Sequence, residues 1–303
     1  MADAREVTLA LGGRWHRHYG AAPCPSCQPE RRKGQHALTL ANGADGRLLL
    51  HCKKSECSFR DILAAGGIAP GGYTPPDPAI IARREAERRA EVEKRAWQAQ
   101  AVWDEALPIG SSVAERYLRA RGIHCELPAT LRFHPSCWHA SAKRLPALVA
   151  LVEGADGCAL HRTYLRADGN GKAGLEGGDK LMLGSTQGGA VRLNSGPGPL
   201  LIGEGIESTL SAFILHGDPT ANAWAALSTS GMRALRLPRF GAFGKLGTGR
   251  ASLIISVDGE KAGRDAGRDL AERAAGLGWQ VRIADPGDGR DFNDRLIREG
   301  RAA

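Results

Sequence analysis

Apolar residues fall into short runs bounded by glycine, proline and charge, and the spacing of those runs changes along the chain. From residue 199 onward, compact apolar runs alternate with segments of helical period. "PLLIG", "NAWAALS", "ASLIISV" and "WQVRIAD" read as strands, whereas "IESTLSAFILHG", closed by Gly217, "AGRDAGRDLAERAAGLG" and "FNDRLIREG" read as helices. Strand–helix alternation of this kind predicts an α/β unit built on a parallel sheet, with helices on both faces. Between 111 and 198 the pattern is mixed, with "SVAERYLRARGI" helical and "PALVALVE", "CALHRTYLR" and "AVRL" strand-like. Upstream lies "AIIARREAERRAEVEKRAWQAQAVWDEA", whose Ala, Arg and Glu place opposite charges three or four residues apart, a strong helix by propensity and pairing. It reads as a solvated connector whose far end docks through Trp97 and Trp103, with a grip on a nucleic-acid backbone as the alternative. "APGGYTPPDP" before it is too rich in Pro and Gly for regular structure and reads as a linker. In the first 69 residues, "HALTL" and "RLLLH" flank "ANGADG", whose Asn-Gly and Asp-Gly predict a β-hairpin, and "FRDILAAGGI" closes the segment as a helix. No internal repeat is visible.

The 303 residues, 42% hydrophobic and 24% charged, suit a globular chain of two domains or of one domain with appendages. No run approaches the roughly 18 apolar residues of a membrane helix, and the N-terminal segment lacks the apolar core of a secretory signal. The expectation is a cytoplasmic protein without membrane contact. A formal net charge of +8 points to a polyanionic partner such as nucleic acid, the bland alternative being a generally arginine-rich proteome. Seven cysteines, an odd number, argue for thiolate ligands or free thiols over a disulfide framework.

Cys24 and Cys27 form a C-x2-C knuckle, and Cys52 and Cys57 form a looser C-x4-C pair at the other end of the predicted hairpin. Two ligand pairs on a hairpin arm describe a zinc ribbon with a closed, structural Zn(II) site. Four unrelated buried thiols are the bland reading, but flanking Pro, Lys, Ser and Glu are not core surroundings. His36 and His51 are possible substitute ligands, and Arg31, Arg32, Lys33, Lys53 and Lys54 cluster near the knuckles. Cys125, Cys137 and Cys158 are scattered and read as plain small residues.

Three acidic motifs each follow a predicted strand. Glu204 follows "LLIG", Asp258 and Glu260 follow "ASLIISV", and Asp291 and Asp294 follow the last strand. The carboxyl ends of parallel strands share one edge, where carboxylates distant in sequence converge. Hard oxygen ligands from several loops suit Mg(II) and in-line phosphoryl transfer. Singly, each motif reads as a polar turn.

These motifs resemble a known family. "GEGIES", "VDGEKAGRDA" and "GRDFND" are similar to the glutamate, D-x-D and distal acidic motifs of Toprim domains, in the form found in bacterial and phage DNA primases. "AERYLRARGI" resembles the segment that opens the primase polymerase core. "CALHRTYLRADG" followed by "DKLMLGS" resembles the stretch where an Arg and a Lys precede the Toprim strand, and the cysteine pairs resemble the N-terminal primase ribbon. The resemblance implies that Glu204, Asp258 and Glu260 hold catalytic Mg(II) or Mn(II), that Asp291 is an additional acidic ligand, and that Arg162 and Lys180 face the triphosphate or the template. By themselves, Arg162 reads as a strand-surface charge and Lys180 as a solvated loop residue. "GLEGGDK" is a flexible turn or a phosphate cradle. Two departures stand out: the family's D-x-D is D-x-E at Glu260, and Ser208 stands where cellular primases carry an acid, with Glu207 as the nearest substitute.

The implied plan is a zinc-ribbon nucleic-acid-binding domain over 1–69, a linker and charged connecting helix over 70–110, the N-terminal part of a primase-like core over 111–198 and a Toprim domain over 199–303. The implied activity is synthesis of short RNA primers on single-stranded DNA from nucleoside triphosphates. "RFGAFGKLGTGR" has Gly244-Lys245 but lacks the first glycine and the Ser/Thr of a P-loop. A replicative helicase encoded separately, in a phage or plasmid setting, is therefore the expected partner. The competing readings are a Toprim nuclease, in which water replaces the attacking hydroxyl, and a non-catalytic nucleic-acid-binding protein on a degenerate Toprim scaffold, favoured by Ser208 and Glu260. Topoisomerase chemistry needs a nucleophilic tyrosine on a second domain, and Tyr19, Tyr73, Tyr117 and Tyr164 occupy no obvious one.

Overall fold

The computed structural model describes residues 3–30, 32, 34–43, 46–68, 78–238 and 252–300. Most of the expected linker, all of "RFGAFGKLGTGR", and Arg31, Lys33 and Tyr73 lie outside the described residues. The chain divides into two compact units, 1–90 and 91–303.

The first unit contains α1 (Ala4–Ala10), β1 (Arg14–Trp15), β2 (Gly20–Ala22), β3 (Leu38–Asn42), β4 (Leu48–Cys52) and α2 (Phe59–Ala65). Its strands form an antiparallel sheet in chain order. The β3–β4 hairpin pairs Leu38 with Cys52 and Leu40 with Leu50. Alternation sends Leu38, Leu40, Leu48 and Cys52 into a core with Val7, Leu11 and Ile62, and leaves Leu49 and His51 exposed. Ser58 caps α2, its hydroxyl accepting the Asp61 N–H at 3.2 Å. The boundary between units falls within α3 (Pro78–Glu105).

The second unit continues with β5 (Leu107–Pro108), α4 (Val113–Ala120), β6 (Leu131–Trp138), β7 (Arg144–Val152), β8 (Ala159–Tyr164) and β9 (Lys180–Leu183). These strands form an antiparallel meander, β5-β6-β7-β8-β9. "PALVALVE" is apolar almost throughout because β7 is buried on both faces: Ala147 and Val149 pack towards the end of α3, and Leu148, Ala150 and Val152 towards α4. β6 escapes the sequence pattern because its alternation is broken by a bulge between His134 and Cys137, around Pro135.

The remaining elements are β10 (Val191–Asn194), β11 (Leu200–Gly203), α5 (Ile206–His216), β12 (Asn222–Ala225), α6 (Thr229–Ala234), β13 (Ser252–Ser256), α7 (Lys261–Gly276), β14 (Gln280–Ala284) and α8 (Phe292–Gly300). They build a five-stranded sheet in the order β10-β12-β11-β13-β14. Its last four strands are mutually parallel, while β10 joins antiparallel at the edge. The four strands after residue 199 thus form the expected parallel sheet, and β10, from the segment before it, adds an antiparallel edge because apolar patterning marks "AVRL" as a strand without specifying its partner. Leu200, Ile202, Leu253 and Ile255 face α6 and α7, and Leu201 and Ile254 face α5 and α8, which puts helices on both faces. No described helix is long and apolar enough to cross a membrane.

Candidate active site and thiol centre

In the first unit, Cys24 and Cys27 flank the turn after β2, Cys52 ends β4, and Cys57 follows a turn whose Glu56 adopts φ 49°. All four Sγ atoms lie within 4.8 Å of one another, with Cys27 and Cys52 at 3.5 Å. Neither His36 nor His51 belongs to the set. Four thiols at this spacing fit a tetrahedral Zn(II) ion. Burial pushes the Cys24 thiol up to about 12. Burial also opposes ionisation of Cys52, but backbone N–H groups of Ser55, Cys57 and Lys54 outweigh it and bring that thiol down to about 6. A residue with no motif, Gln28, holds the knuckle: its buried Oε1 accepts the N–H groups of Cys24 and Ala37, each at 3.2 Å.

In the second unit, β11 and β13 are adjacent, parallel and in register, Gly203 opposite Ser256. β11 connects outward to β12 on one side and β13 connects outward to β14 on the other, so a crevice opens between the ends of β11 and β13. Glu204 and Asp258 emerge there side by side. The loop after β14 is fastened to the Asp258–Glu260 turn by Gly259 N–H to the Arg290 carbonyl (2.8 Å) and Gly289 N–H to the Gly259 carbonyl (3.0 Å). Any side chain at Gly259 would come 1.8 Å from the Gly287 carbonyl oxygen, so this approach requires glycine. The result is a cleft of about 360 Å³ whose lining includes Glu204, Asp258, Glu260, Asp291 and Asp294.

Glu204 and Asp258 are half-buried, whereas Glu260 is exposed as the N-cap of α7, where a helix terminus favours negative charge. Burial raises the pKa of Glu204, and Asp258 and Glu260 add to the shift. Burial likewise raises that of Asp258, reinforced by Asp291 and Glu260 and opposed by Ser208 and Lys180. A divalent cation would relieve this repulsion, and the carboxylate donors fit Mg(II) or Mn(II). Among the described residues the thiols alone form a donor set as compact as 4.8 Å; the carboxylates line a wider space. Asp291 also has a structural task. Its Oδ1 accepts the Asp294 N–H (2.8 Å), Asp294 Oδ2 accepts the Asp291 N–H (3.2 Å), and the pair closes the start of α8.

Ser208 reaches the cleft as a hydrogen-bond donor, its Oγ 3.0 Å from Asp258 Oδ1. Glu207 does not stand in for the missing acid. It is buried, Oε1 accepting the Tyr117 hydroxyl at 2.7 Å and Oε2 the Lys180 ammonium at 2.9 Å. Burial works against its charge, yet Lys180 and the Tyr117 hydroxyl hold its carboxyl well below the usual carboxylate range. Lys180 is a strand residue rather than a loop residue, and its Nζ would be 3.9 Å from a β-carbon on Gly205, next to Glu204. Arg162 is not brought to the acids. β8 pairs Thr163 with Lys180, so Lys180 shares a face with Thr163, and Arg162 takes the other. There Arg162 is buried, donating to the Trp138 carbonyl at 3.2 Å with its guanidinium 5.7 Å from the Tyr164 ring centre. Since β8 is buried on both faces, its apolar pattern carries no sign of which side faces the cleft.

Residues 199–302 match the Toprim domain. That span is a Toprim domain. Residues 93–193, immediately upstream of it, match a domain of unknown function (DUF7146). No curated protein matches the chain. Among solved structures, the chain is similar to the zinc-binding and RNA polymerase domains of the Aquifex aeolicus primase, with 12% identity and a TM-score of 0.43 over 100% of this chain and 84% of that one. It is also similar to the primase fragment of the bacteriophage T7 primase-helicase protein (16%, 0.32, 92% of this chain and 97% of that one). A third likeness is to the RNA polymerase domain of the Mycobacterium tuberculosis primase in complex with double-stranded DNA (18%, 0.37, 68% and 75%). These identities and TM-scores mark distant likenesses to the Toprim-containing chain.

Proposed function

We propose that this protein is a DNA primase that joins ribonucleotides into short primers on single-stranded DNA. The observation that carries the reading is the convergence of Glu204, Asp258, Glu260 and Asp291 from three loops on one cleft of a Toprim domain, with Lys180 beside it. Glu204 and Asp258 would hold Mg(II) or Mn(II) from the half-buried floor, with Glu260 and Asp291 completing the ligand set at the rim. Such ions, when bound, activate the attacking oxygen and neutralise phosphate charge. The longer reach of Glu260 relative to an aspartate suits its exposed place at the helix N-terminus. Ser208 orients Asp258 by donating to one carboxylate oxygen, which leaves the other for the cation. Lys180 offers its remaining N–H groups to the nucleotide phosphates. In the joining step a 3′-hydroxyl releases its proton to solvent as its oxygen bonds to the α-phosphorus, the bond between the α-phosphorus and the α,β-bridging oxygen breaks, and pyrophosphate leaves with that oxygen.

The reading extends to the rest of the chain. Residues 1–69 act as a ribbon holding structural Zn(II), which presents exposed Arg32, Lys53 and Lys54 to the template phosphates. Residues 70–110 connect it to a core composed of 111–198 and the Toprim domain over 199–303. A separately encoded helicase supplies single-stranded template, and stimulation of priming by that helicase is the expected sign of it.

The test is incubation with single-stranded DNA, labelled ribonucleotides and Mg(II) or Mn(II), beside Asp258→Asn. Short labelled oligomers that vanish in the variant are expected. Shortened template would replace the proposal with a nuclease, and tight DNA binding without product would replace it with a non-catalytic scaffold.

A further inference from the structure

Glu207 is a buried carboxylate that the metal chemistry leaves unused. It sits in the first turn of α5, a helix otherwise dominated by apolar and small residues, with 5% of its surface exposed. A carboxylate in such a place is tolerated only when paired and fully hydrogen-bonded. Both conditions hold, since Tyr117 occupies one oxygen and Lys180 the other.

Its main chain is held as well. Tyr117 and Arg121 lie one turn apart on the α4 segment, the Arg121 guanidinium 5.2 Å from the Tyr117 ring centre. Arg121 donates to Asn293 Oδ1 (2.8 Å), Asn293 Nδ2 donates to Ser211 Oγ (3.0 Å), and Ser211 Oγ donates to the Glu207 carbonyl (2.8 Å). Asn293 is 1% exposed and lies between Asp291 and Asp294. The network therefore ties α4, α5 and the start of α8 around one carboxylate whose outward partner is Lys180. Lys180 is also the cation whose charge opposes the acid repulsion at both Glu204 and Asp258.

We infer that Glu207 is a positioning residue, which clamps the Lys180 ammonium at the edge of the acidic cleft so that its free N–H groups meet the phosphates of an incoming nucleotide. The nucleotide part rests on the proposed function; the clamp does not. One consequence is that removing Lys180 alone strands a buried charge, so that variant loses stability as well as nucleotide contact. Removing both charges restores the fold without restoring the contact.

The test uses the full chain in four forms: wild type, Lys180→Met, Glu207→Gln and the double variant. Thermal unfolding is read for each, together with the affinity for ATP in the presence of Mg(II). The expected result is a large drop in Tm for Lys180→Met, mostly regained in the double variant, and ATP affinity weakened about tenfold in Glu207→Gln although it still folds. In the priming assay the nucleotide KM of Glu207→Gln rises by more than its kcat falls. Strictly additive Tm losses, an unchanged ATP affinity in Glu207→Gln, or a wild type that binds no ATP would each overturn the inference. A wild type that binds ATP in this Glu207-dependent way yet makes no primers removes the primase reading alone.

Discussion

The thiol centre and the acidic cleft are both candidate metal centres, and the chain builds them by opposite means. The thiols come as two local pairs at the ends of one hairpin, close within 4.8 Å and belong to the core of a small unit. The carboxylates arrive from three loops at a sheet edge and line an open space of about 360 Å³, where burial raises the pKa of Glu204 and Asp258 and their mutual repulsion adds to the shift. A closed set of soft donors is part of the fold, whereas an open set of crowded hard donors is maintained at some cost to the fold. Removing a ligand should therefore have opposite effects on stability at the two sites.

The largest effect is expected at the ribbon. Structural zinc contributes on the order of 10 kcal/mol to folding in small metal domains, more than a core of this size supplies alone. Cys52→Ser or a strong chelator should collapse the amide dispersion of residues 3–68 while the second unit keeps its cooperative transition. A ribbon that stays folded without metal would erase the contrast.

Next in size is the Lys180–Glu207 pair. Lys180→Met should cost about 3 kcal/mol, the low end for a broken buried pair, because the Lys180 side chain is 36% exposed. Denaturant unfolding at pH 7 checks this figure. At the cleft, Asp258→Asn should go the other way, raising the stability of the metal-free protein by about 1 kcal/mol while abolishing the proposed priming activity. Lower stability in that variant would mean that the carboxylates do not repel as their environment implies.

Acid unfolding separates Glu207 from the cleft acids. The folded pKa of Glu207 is depressed, so its contribution is fully present above the unfolded value of about 4.3 and is lost progressively as pH falls below it. The stability gap between wild type and Glu207→Gln should therefore be flat from pH 7 to about 5 and shrink below that. The smallest effect belongs to the exposed pairs of α3. Arg83→Ala breaks the 2.9 Å contact with Glu87 and should leave Tm unchanged within error.

The same contrast explains what could be read from the sequence. Cys24, Cys27, Cys52 and Cys57 are visible because a hairpin makes neighbours of residues whose spacing is local. The acids are visible because each follows an apolar run, and parallel strands bring such ends to one edge. What stays hidden depends on which way a side chain faces. Glu207 and Ser208 are consecutive on α5, yet one meets Lys180 and the other Asp258. Arg162 and Thr163 are consecutive on β8, and only Thr163 shares the face of Lys180. β6 is obscured by its bulge, and β10 by pairing with a strand of the downstream sheet.

The most direct measurement is the position of Mn(II) in a crystal of the full chain, read from its anomalous scattering. A peak ligated by Glu204 and Asp258, absent in Asp258→Asn, is expected. A peak elsewhere, or an acidic cleft that stays empty at millimolar Mn(II), would sink the assignment of these carboxylates as metal ligands.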